Sequence, residues 1–216
     1  MASVISWLRW ARLGSRVSSS YSAWRSHAMA HYWDTLATHA FGNYRDILRA
    51  TTLNAYMGDY LDMANSSRVA PNENYARELM QLFSMGVEKL NPDGTRQTDA
   101  SGAAAPSYTS ADVREVARAL TGWTYTRLNG APLTDNNQLD YAAPMIPNAA
   151  IYDTTAKTFL GVTVPAGATQ QASLDAVIDA VFNNAGVPLG GSLTENTTAE
   201  IERCLDINLK GVLFGA

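Results

Sequence analysis

Cysteine is almost missing: Cys204 is the only one in 216 residues. That excludes an internal disulfide and any multi-cysteine metal site. Histidine is nearly as scarce, with His27, His31 and His39 alone. Charged residues make up 17% of the chain and the net charge is −4, which argues against a nucleic-acid binder that works by neutralising phosphates. No apolar run approaches the ~20 residues that a membrane-spanning helix needs. The start does not read as a secretory signal either. Arg9 and Arg12 interrupt Val4, Ile5, Trp7, Leu8, Trp10 and Leu13, so no apolar core of ~7–15 residues forms there.

What is present is an apolar content of 46%, enough for one sizeable core. The best-marked stretch is Asn72 to Gly86. Pro71 suits a helix start, and Asn72 or Asn74 can cap it. Tyr75, Leu79, Leu82 and Phe83 fall on one helical stripe, and Gly86 supplies a left-handed stop. A second marked helix begins at Thr109, where Asp112 completes a capping box. Its stripe is Val113, Val116, Ala117 and Leu120, and Gly122 ends it. Helical spacing also predicts Trp33 to Thr51, Leu53 to Met63, and Leu174 to Phe182. Asn91-Pro92-Asp93-Gly94 reads as a turn, Thr95 to Pro106 as a surface loop, and Trp123 to Pro147 as irregular.

These elements divide the chain into a basic, Ser-rich segment at 1–31, a helical body at 32–182 and a tail at 183–216. The expected fold is mainly α, an irregular helical body with long loops. Two clusters carry chemistry. His27 and His31 are four apart, the spacing of paired metal ligands, but no carboxylate is placed with them, so no metal is assigned. Glu73, Arg77 and Glu78 on one helix, with Asp112, Arg114, Glu115 and Arg118 on the other, would form a polar network if the helices pack. Such a network more often fixes helix register than binds a ligand. Trp33, Trp123 and Tyr75 read as core anchors.

Four blocks, THAFGNYRDILRA, PNENYARELMQLFSMGVEKLNPDGT, SYTSADVREVARALTGW and APMIPNAAIYDTTAKTFLG, occur in that order. Together they resemble the bacterial domain-of-unknown-function family eighteen hundred, over about residues 32–182. The resemblance implies an uncharacterised, often exported or periplasmic protein, encoded beside a sulfatase-like partner, with no established activity. It points to a non-catalytic fragment with a binding or scaffolding role.

After Phe182 the chain reads differently. Asn183-Asn184-Ala185-Gly186 resembles the NNAG motif of short-chain dehydrogenases/reductases, and Asp206 to Gly211 resembles their later helix. The resemblance implies part of a Rossmann-type domain, with NAD or NADP against Asn183, Asn184, Ala185 and Gly186, and Asn208 as the active-site asparagine. The Gly-rich turn and the Tyr-x-x-x-Lys pair of that family are both absent, since Tyr152 and Lys157 are five apart. The oxidoreductase reading is therefore incomplete, the expected cofactor is none, and the two resemblances together read as a chimera. The tail reading requires saturable binding of NAD(H) or NADP(H) and loss of turnover in Asn208→Ala. A calorimetric titration that stays flat at millimolar nucleotide removes it.

Overall fold

The computed structural model describes residues 26–91, 95–135 and 138–184. Helix α1, Ser26–Thr38, buries Ala28, Tyr32 and Leu36 at four-residue steps. It starts seven residues before the expected Trp33 and leaves Ala37 exposed. The chain turns at Gly42, whose N–H reaches the His39 carbonyl at 2.9 Å. Asn43 then caps α2, Tyr44–Thr52, and Asn54 caps α3, Ala55–Tyr60, each accepting from backbone N–H groups of the first turn. Close spacing of capping asparagines cuts one long apolar pattern into short helices at different angles.

Helix α4, Asn74–Gln81, buries Tyr75, Ala76, Leu79 and Met80. The Tyr75 hydroxyl donates to Thr52 Oγ1 at 2.8 Å, which satisfies a polar group inside the core. The helix ends five residues short of Gly86, because the N–H groups of both Leu82 and Phe83 converge on the Glu78 carbonyl. Phe83 stays buried and Leu82 turns outward. Gly86 does take the expected left-handed conformation, at φ +75°.

Between Val87 and Ser107 the expected loop is an ordered three-way junction. Gln97 N–H donates to the Lys89 carbonyl, Lys89 N–H to Ala105, and Ala105 N–H to Gln97, each at 2.8 Å. This closed ring of three bonds joins a stem, bridged at Glu88 and Pro106, to two arms bridged at Leu90 with Arg96 and at Thr98 with Ala104. Glu88 and Arg96 pair across it at 2.8 Å.

Helix α5, Ser110–Ala119, opens with the capping box: Thr109 Oγ1 accepts from Asp112 N–H, and Asp112 accepts from Thr109 N–H at 2.8 Å. Three small antiparallel pairs follow. β1, Trp123–Thr124, pairs with β4, Ile146–Pro147; β2, Thr126–Arg127, with β3, Leu139–Asp140; and β5, Lys157–Phe159, with β6, Val162–Val164. Leu160 and Gly161 both have positive φ, the conformation of a two-residue hairpin turn. Helix α6, Gln170–Asn184, buries Leu174, Val177, Ile178 and Val181, while Phe182 remains 38% exposed.

The expectation of a mainly α fold is corrected. Among the described residues six helices share the structure with three two-stranded antiparallel pairs. Strands of two or three residues are too short for alternation to be read in sequence. Nor is there a Rossmann-type entry to the Asn183-Asn184 pair. These two asparagines end α6, whereas a dinucleotide fold would reach them by a strand.

Gly122 ties the parts together. Its N–H donates to the Ser66 carbonyl, and its carbonyl accepts from Asn148 N–H and from Gln170 Nε2. Its φ is +88°, and an added Cβ would lie 2.5 Å from Gln170 Nε2 and 2.7 Å from Tyr152 Cβ. Gly86 shares the positive φ but faces open space. Gly122→Ala is therefore expected to cost roughly 3 kcal/mol, strain plus overpacking, against about 1 kcal/mol for Gly86→Ala. Denaturant unfolding of both variants measures the difference.

Candidate functional site

The two best-marked helices, α4 and α5, do pack together. The charges they carry separate into three arrangements. Glu73 and Arg77 pair within α4 at 3.0 Å, both well exposed, a contact of little energetic weight. Arg114 is exposed and makes no ion pair among the described residues. Arg118 makes its hydrogen bonds within α5 and to the segment before β5.

Arg118 closes a polar lock between α5 and the β5 hairpin. Its Nε donates to Asp153 Oδ2 at 2.9 Å, and one terminal nitrogen donates to both Glu115 carboxylate oxygens at 2.6 and 2.7 Å. The other terminal nitrogen reaches Thr155 Oγ1 and the Ala156 carbonyl. All three guanidinium nitrogens are thereby engaged. Lys157 lies beneath, its side chain buried, with Nζ donating to the carbonyls of Asp153 at 2.5 Å and Thr155 at 2.8 Å. Nζ also sits 4.9 Å from the centre of the Tyr152 ring. Burial pushes the Lys157 ammonium below the usual lysine range; Asp153 opposes that shift and Arg118 adds to it. Burial alone would raise the Asp153 carboxyl, but hydrogen bonds from Thr155 and Arg118 outweigh it and hold it below the usual carboxylate range. Two cations face two carboxylates, and every guanidinium nitrogen of Arg118 has a partner within the fold. The arrangement is structural.

Glu78 is the opposite case. Its Oε2 is buried and has no hydrogen-bond partner. Burial raises its carboxyl above the usual range, and Arg77 opposes the rise. Tyr108, at the entry to α5, lies within electrostatic reach of both Glu78 and Arg77. Ser107 N–H donates to the Val87 carbonyl at 3.0 Å, which brings Tyr108 beside the ribbon stem. Leu82, one helical turn after Glu78, is 45% exposed, and Val87 and Leu90 are 50% and 42% exposed. These three exposed apolar residues follow Glu78 closely in sequence. Spacing identified Glu78, but it gave no sign that Tyr108 lies within its electrostatic reach.

The histidines lie elsewhere. His31 Nδ1 is 3.4 Å from Asn54 Nδ2, and His27 stacks edge-on against Tyr141 with ring centres 6.2 Å apart. Among the described residues no three His, Cys, Asp or Glu side chains gather as a metal site. Tyr75 and Trp123 are core residues, while Trp33 packs at its margin. Of the dehydrogenase-like positions, Asn183 and Asn184 end α6, and Ala185, Gly186 and Asn208 lie outside the described residues. No described helix is long and apolar enough to cross a membrane.

The lock has a pH signature. A carboxyl held low in the folded state adds stability above its unfolded pKa of about 3.9, and that stability is lost as pH falls through the lower folded value. Asp153→Asn should therefore lower stability at pH 7 by about 1–3 kcal/mol and flatten the decline below about pH 4. Unfolding curves between neutral and acid pH test both parts.

A family model described as a protein of unknown function (DUF1800) matches residues 8–188. That span includes the four sequence blocks and also covers the Asn183 to Gly186 motif, and nothing in the comparisons supports a dehydrogenase fragment or a chimera. No curated protein and no solved structure matches the chain. With most of its length matched, this chain belongs to the DUF1800 family.

Proposed function

We propose that this chain is a protein-binding module whose docking surface is the crest at the end of α4. The observation that carries it is the exposure of Leu82, Val87 and Leu90, three large apolar side chains close in sequence where α4 gives way to the ribbon. On the other side of the same backbone, the Tyr44 hydroxyl donates to the Phe83 carbonyl, and Phe182 lies against the Tyr44 ring. Phe41, in the turn just before α2, is also exposed. Full burial of one such side chain is worth ~1.5–3 kcal/mol, so a partner that covers several gains a useful driving force. The lock at Arg118 adds support, since its charges are committed to one another within the fold.

The family resemblance supplies the partner to try first, a sulfatase-like protein of the bacterial envelope. In this reading the module scaffolds that protein and needs no cofactor. The test is calorimetric binding of the purified sulfatase-like partner to the wild-type chain and to a Leu82→Asp, Val87→Asp double variant. The variant is expected to bind at least tenfold more weakly with an unchanged melting temperature, because both positions are exposed. Equal binding by the variant would sink the reading.

A further inference from the structure

We infer that the turn Ser67–Ala70 is a second docking element, a knob whose Val69 side chain enters an apolar socket on a partner protein and whose Arg68 meets a carboxylate on the rim of that socket. It stands apart from the crest proposed above, since the turn precedes α4 and the crest follows it.

Val69 is 87% exposed, more than any other large apolar side chain among the described residues. That exposure is built into the backbone. The Ala70 N–H donates to the Ser67 carbonyl at 3.1 Å, which closes a turn with Arg68 and Val69 at its centre. The Arg68 N–H donates to the Ile151 carbonyl at 2.8 Å and ties the turn to the segment before β5. On its other flank the Asn72 N–H donates to Ser66 Oγ at 3.0 Å. Ser66 is buried, and its carbonyl accepts from the Gly122 N–H at 2.9 Å. The Asn65 N–H donates to the Trp123 carbonyl at 2.7 Å. The two side chains at the tip are thus carried on a backbone bonded to the core on both flanks. Valine also runs against local preference here. Turn centres favour Gly, Pro, Asn, Asp and Ser, and a β-branched side chain suits a strand. A residue that neither the turn nor the core calls for is expected where recognition selects it.

Arg68 defines the partner. It is exposed, and its guanidinium pairs with no carboxylate among the described residues. Arg68 and Val69 are consecutive, so a socket that closes over Val69 brings its rim to Arg68. An apolar rim would desolvate the cation with nothing in return, and a basic rim would repel it. A rim carboxylate supplies a charge-assisted hydrogen bond. Because the turn is already ordered, docking it costs little conformational entropy.

The first test needs no ligand. Val69→Ser in the full chain should keep or raise the melting temperature, since serine suits a turn. A lower melting temperature makes Val69 a structural residue and overturns the inference. The second test selects a random twelve-residue peptide library, displayed on phage, on the immobilised full chain. Depletion on an Arg68→Ala, Val69→Asp variant removes binders to other surfaces. The surviving peptides should carry an Asp or Glu among apolar residues. The best of them, made synthetically, should bind Val69→Ser and Arg68→Gln at least tenfold more weakly than the wild type. It should bind the Leu82→Asp, Val87→Asp variant as well as the wild type. Changing its acid to the matching amide should cost as much on the wild type. No surviving peptide, survivors without an acid, or equal affinity after the amide exchange overturns the inference. A peptide lost on the Leu82→Asp, Val87→Asp variant and kept on Val69→Ser overturns the knob and leaves the crest standing.

Discussion

A single residue without a side chain, Gly122, sets how closely the parts of this structure approach one another. Its backbone touches the loop before α4 through Ser66, the strand region through Asn148, and the start of α6 through Gln170. Tyr152 and Gln170 stand where a Cβ would be. Because α5 ends at this point, its direction and the position of Arg118 on it follow from the same close approach. The Arg118 lock then fixes the β5 hairpin against α5. Two further ion pairs, Arg45 with Asp179 and Arg49 with Asp175, run antiparallel between α2 and α6. These pairs are partly exposed and contribute less than the apolar contacts beneath them.

Arg118 and Glu78 differ in how their polar atoms are satisfied. Both lie on helices that pack together, and both looked alike as members of one charged pattern. One has a partner inside the fold at each guanidinium nitrogen. The other keeps an acceptor oxygen out of water without any donor, which a folded protein rarely tolerates unless something else fills the place.

What could be read from sequence followed from local rules. The Thr109–Asp112 capping box, the left-handed glycines at Gly86 and Gly122, and most of the apolar stripes of α4, α5 and α6 each depend on residues within two turns. Leu82 and Phe182 were expected inside because a stripe continues in projection. Leu82 is outside because α4 ends before it, and Phe182 lies beside the Tyr44 ring with 38% of its surface exposed. The partners of Arg118 were hidden for another reason: Asp153 is 35 residues away, and no periodicity links them. The NNAG resemblance shows the converse hazard. Asn183-Asn184 reads the same at the end of a helix as at the end of a strand, and only the preceding backbone decides.

The three-way junction between Val87 and Ser107 has its own consequence. Each arm closes on itself, Asn91 with Thr95 and Asp99 with Ala103, before returning to the ring at Lys89, Gln97 and Ala105. Lengthening one arm therefore adds only the slow, logarithmic entropy of a longer closed loop and leaves the other arm and the stem in register. The appendage is a place where relatives of this chain can vary in size and sequence without renegotiating the core, and where a foreign peptide could be grafted beside the crest.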